Sequence, residues 1–167
     1  MSYRHNRRRN FLLNNKGFSL IEVLVFLTIL SLVFITAAVV STISIKNSKS
    51  AENRILATRY GEELMDWLRG QKEAGWAAFL SQYGLDTNPN TDRVYCFDTE
   101  PVTQTGTSGV CAGYLIITNG PTTIFKRQVT LRYDNSLNRV NVQVNSLWNE
   151  AGNSLSVPVN SIFAPFE

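Results

Sequence analysis

The chain has 167 residues, enough for one modest domain beside a membrane segment, and its single His (His5) precedes Gly17. A Ser-His-Asp or Cys-His constellation and a His-based metal site are therefore excluded after Gly17, and enzyme activity has no support. The net charge of +3 includes Arg4, Arg7, Arg8, Arg9 and Lys16, with no acid before Gly17; setting these five aside from sixteen leaves eleven basic against thirteen acidic groups, so a nucleic-acid role cannot rest on the overall charge.

Residues 1 to 17 are polar and basic, with Phe11, Leu12 and Leu13 as their apolar cluster. They lead into Lys16-Gly17-Phe18-Ser19-Leu20-Ile21-Glu22-Val23-Leu24, which opens a run without charge from Val23 to Ile45. At about 1.5 Å per helical residue this run crosses a hydrocarbon core of about 30 Å. The basic flank would stay in the cytoplasm, which places the rest of the chain outside it. A secretory signal peptide is the plain alternative, but its apolar region is normally about half as long. Glu22 is the unusual residue, because a bare carboxylate in lipid is costly and commonly functional.

The signature from Lys16 to Val25 closely resembles the N-terminus of type IV prepilins and type II secretion pseudopilins. The resemblance implies a leader over residues 1–17, cut by a prepilin peptidase between Gly17 and Phe18, and N-methylation of Phe18. It implies an assembly role for Glu22 at the fifth mature position. The partners it implies are the inner membrane, the peptidase, other pilin or pseudopilin subunits and an assembly platform, with no cofactor. The chain would sit single-pass in the inner membrane, its soluble part outside the cytoplasm, before entering an extracytoplasmic pilus or pseudopilus.

From Phe18 the pattern predicts a helix uninterrupted by Pro or Gly until Gly61. Many major pilins carry such a break within the membrane helix, and its absence here is a departure from that pattern. Thr28, Ser31, Ala38 and Thr42 give one side small residues that let membrane helices approach. Residues 18–45 are the expected membrane and filament-core helix. Over 46–83 the helix becomes amphipathic, with Leu56, Tyr60, Leu64, Trp67 and Leu68 on its apolar face. Glu52, Arg59, Glu62, Glu63, Asp66, Arg69 and Lys72 form the expected wet face. Trp76 to Tyr83 adds a short helix before the Asn88-Pro89-Asn90 turn.

Residues 84–167 read as a sheet domain. Val94 to Phe97 and Gly113 to Thr118 are predicted short strands flanking a Thr, Gly and Ser loop that Cys96 and Cys111 would close. In an oxidising compartment a bridge between them is expected, with two unrelated buried thiols as the alternative, since spacing alone does not bring them together. Val129, Leu131 and Tyr133 alternate with Gln128, Thr130 and Arg132, and after Asp134-Asn135-Ser136 the alternation resumes through Val140, Val142 and Val144. That describes an antiparallel sheet with one face on a core, for which the amphipathic helix is the available partner. A last strand through Leu155, Val157 and Val159 is put at an edge by Pro158.

The predicted class is α+β and pilin-like, a long N-terminal helix on a small antiparallel sheet. Gly61-Glu62-Glu63-Leu64 through Trp67-Leu68-Arg69, then Gly75-Trp76, together with the strands around Trp148, look like V-type minor pilins and I-type minor pseudopilins. Asp86, Asp92, Asp98 and Glu100 lack a calcium-loop pattern and read as solvated loop acids, so no metal site is assigned. Lys126, Arg127, Arg132 and Arg139 are the nearest approach to a basic patch. They read as a solvated face, and nucleic acid is not an expected partner. The competing functional reading is a filament-tip adhesin or DNA-binding module.

Overall fold

A computed structural model describes residues 17–117 and 123–165. Most of the predicted leader, residues 1–16, lies outside the described residues, as does Thr118. Among the described residues, helix α1 (Leu20–Ala74) is followed by α2 (Trp76–Gln82) and seven strands. The chain divides into two compact units after Lys46, so the first half of α1 forms one unit and its second half belongs with the sheet.

In the first unit the sequence specifies a helix with nothing to pack on. Its large apolar side chains, from Phe18 to Ile45, are all exposed. The hydroxyls of Thr28, Ser31, Thr36 and Thr42 donate to carbonyls three or four residues back, at 2.7 to 2.9 Å. Those donors are satisfied within the helix, which suits the segment to a medium without water.

The second unit is α+β. Strands β1 (Asp92–Cys96), β3 (Thr107–Ser108), β5 (Phe125–Asp134), β6 (Arg139–Glu150) and β7 (Asn153–Phe163) form one sheet in the order β3-β1-β5-β6-β7. All of its pairings are antiparallel. The predicted alternation is the burial pattern: Val129, Leu131, Val140, Val142 and Val144 are buried, while Gln143 and Arg132 face solvent. They pack on Leu64, Met65 and Leu68 of α1 and Phe79 and Leu80 of α2, with Tyr83 and Phe163 closing the cluster. A smaller cluster joins Ala57 to Phe125 and Trp148. β7 is one of the two edge strands, and Pro158, opposite Asn145, removes one donor from it.

The helix runs through Gly61 and continues to Ala74. Two features depart from the sequence reading. The buried residues of the helix are Asn53, Ala57, Gly61, Leu64, Met65 and Leu68, a narrower line than the predicted stripe, with Leu56, Tyr60 and Trp67 only partly buried on its flanks. Gly61 belongs to this line because the sheet comes close there: a Cβ would meet Val159 Cγ2 at 3.0 Å and Ser146 Oγ at 3.4 Å. Close approach to the sheet offsets the cost of about 1 kcal/mol for Gly in a helix. Secondly, the described part of the Gly113 to Thr118 segment holds β4 (Ile116–Ile117), which pairs in parallel with β2 (Thr99–Glu100) as a separate two-stranded sheet.

Cys96 and Cys111 are bridged, with their Cα atoms 4.9 Å apart, and the bond closes the loop that carries β2 and β3. Cys111→Ser should lower stability by about 2 to 5 kcal/mol, because the unfolded chain regains the loop's freedom. Alkylation of the denatured, unreduced protein checks the bond: no label is expected on either thiol, and two labelled thiols would contradict it.

Candidate assembly site

The first turn of α1 begins where Ser19 O accepts from the amides of Glu22 at 3.0 Å and Val23 at 3.2 Å. Glu22 therefore lies in the first helical turn, where the helix dipole favours a negative charge. Phe18, Glu22 and Phe26 follow at four-residue spacing on one face and, with Val23, line a shallow, largely apolar recess. Among the described residues Glu22 has no side-chain hydrogen bond or ion pair. Gly17 stands just before the helix, and among the described residues nothing lies within 4 Å of a Cβ built upon it.

Glu22 and Phe26 belong to α1, the sole helix among the described residues that is long and apolar enough to cross a membrane. A continuous unburied apolar surface of this kind needs a cover, either lipid or other helices.

The sheet domain holds a second polar site that the sequence reading missed. Arg127, expected on a solvated face, is fully buried beneath α1. Its Nη1 donates to Tyr60 O at 3.1 Å and to the carboxylates of Glu63 at 3.3 Å and Glu100 at 3.0 Å, and its Nη2 donates to Thr99 O at 2.6 Å. Glu63, placed by sequence on the wet face, instead turns towards the sheet and also accepts from Val102 N at 3.4 Å. Glu100, read as a solvated loop acid, is the third member. Burial, then the hydrogen bond to Glu63, pushes its carboxyl up to about 7 against the opposing pull of Arg127. The available signal was parity, since Arg127 is in phase with the buried Val129, Leu131 and Tyr133.

The other three basic residues are dispersed. Lys126 donates to the carbonyls of Cys111 and Ala112 and lies 5.2 Å from the Tyr114 ring centroid. Arg132 stands 3.9 Å from Asp92, and Arg139 stands 3.7 Å from Asp134. The four residues form no common cationic surface. No group of three or more metal-ligating acids, His or Cys occurs among the described residues.

The family of the prokaryotic N-terminal methylation motif matches residues 12–38. The match covers the Lys16 to Val25 signature and part of the apolar run. It supports a pilin or pseudopilin subunit and points to a structural protein rather than an enzyme. No curated protein and no solved structure matches the chain.

Proposed function

We propose that this chain is a minor pilin or pseudopilin, an inner-membrane precursor that a prepilin peptidase cuts between Gly17 and Phe18. Phe18 is then N-methylated, and the subunit joins a thin extracytoplasmic filament through helix packing with other pilin or pseudopilin subunits on an assembly platform. Residues 18–45 form the filament core, and the sheet domain decorates its outside.

The observation that carries this reading is the methylation motif at the start of an apolar helix half that buries nothing. Glu22 beside Phe18 supplies the assembly chemistry. After cleavage each subunit gains a positive amine at Phe18, and a neighbour's Glu22 can pair with it inside the helix bundle. Two desolvated charges that pair offset part of their burial cost, whereas one left alone is penalised by several kcal/mol, so the pair selects register more than it adds affinity. A minor subunit is expected in sheared filaments at a small fraction of the abundance of the main subunit. Quantitative mass spectrometry of that fraction tests it, and complete absence of the chain from filaments of a cell that makes it would refute the proposal.

A further inference from the structure

We propose that Glu63, Glu100 and Arg127 form a proton-operated clasp, which fastens the disulfide-closed loop to helix α1 in acid and loosens it as the pH rises. The inference is independent of the pilin reading, because every group lies within the second unit, after Lys46.

Three separate chain segments converge here. Glu63 comes from α1, Arg127 from β5 and Glu100 from β2, which lies inside the loop closed by Cys96 and Cys111. The same loop is held from below by Phe97 and Val102 in the core, and Phe97 N donates to Arg127 O at 2.9 Å. The side chain of Arg127 is fully buried, while those of Glu63 and Glu100 are 32% and 21% exposed, so protons reach the acids and not the cation. From the elements packed against Glu100 the facing charged groups are Glu63 and Arg127; β4, its strand partner, contributes Ile116 and Ile117.

Charge balance decides the direction. A guanidinium stays charged throughout the accessible range, so two ionised carboxylates leave one uncompensated negative charge in a poorly hydrated site. One proton on Glu100 removes the excess and provides a donor towards Glu63. The folded state holds that proton more tightly than the open chain, because the carboxyl of Glu100 is raised from an ordinary 4.5 to about 7. The stabilisation is therefore complete below about 4.5 and is lost as the pH rises through about 7.

Hydrogen exchange of the full-length chain in detergent micelles, read by mass spectrometry on peptides covering residues 97–104, tests the clasp. Rates are corrected for the intrinsic pH dependence and referred to a β6 peptide. Protection is expected to fall about tenfold between pH 5.5 and pH 8, less than the full proton linkage allows because water reaches both acids. Glu100→Gln keeps the hydrogen-bonding shape without the titration and should be flat across the window. Glu63→Gln leaves one charge facing one and should move the fall below pH 6. Flat wild-type protection overturns the proposal, as does a wild-type slope in either variant. The wild-type profile alone decides if the Glu100→Gln variant does not fold.

Discussion

Arg127→Met should destabilise the sheet domain by about 3 kcal/mol at pH 8, the low end for a broken buried ion pair. The loss arises less from the missing bonds than from what remains. Glu63 and Glu100 would face each other across an apolar side chain, and the carbonyls of Tyr60 and Thr99 would lose their donor. The low end applies because both acids keep some contact with water. Without the cation, which opposes the upward push on Glu100, that carboxyl binds its proton more readily, so the penalty should shrink as the pH falls to 5. Thermal unfolding of the full chain in mild detergent, followed by circular dichroism, measures the effect. Adding Glu63→Gln and Glu100→Gln to Arg127→Met should restore more than half of the loss, because the unpaired charges are then gone. A single Arg127→Met variant as stable as wild type would mean that the cluster does not hold the helix to the sheet.

Glu22→Leu should leave membrane insertion and cleavage intact while reducing incorporation into sheared filaments by about tenfold or more. A carboxylate at the centre of a membrane helix costs about 2.5 to 3.5 kcal/mol on insertion scales, and near the helix end it can reach the interface. Its removal therefore does not harm the precursor. In the proposed filament the same change would leave a neighbour's amine at Phe18 without its counter-charge. The plain alternative is that Glu22 serves only its own helix terminus, where the dipole favours an acid by about 0.3 to 1 kcal/mol, and it predicts little effect on assembly. Incorporation at wild-type level would favour that alternative.

Legibility in the sequence depends on whether a signal is local and periodic. The N-terminal signature is a continuous string, so Gly17, Phe18 and Glu22 are identifiable without any tertiary information. The strands β5 and β6 are equally plain, since Val129 to Tyr133 and Val140 to Val144 alternate strictly and pair in register. The helix contact reads a few residues off because its first half is built from Asn53, Ala57 and Gly61, small or polar residues that carry little hydrophobic signal although they are buried. β2 and β4 are two residues each, too short for a period. Arg127, Glu63 and Glu100 read as solvated whenever charge is given more weight than parity. Their meeting joins residues as much as 64 positions apart, which no local pattern encodes.

We propose Gly17 as the processing site, so that the mature chain would begin with the cluster of Phe18, Glu22 and Phe26. A peptidase acting there needs close access to extended backbone, which a residue without Cβ permits. Intact-mass measurement of the protein isolated from its native membrane tests this most directly. The predicted mass is that of a chain beginning at Phe18 and heavier by one methyl group, and Gly17→Val should retain the uncut precursor. A native chain still beginning at Met1, or one cut after Ala38 within the apolar run, would contradict the account.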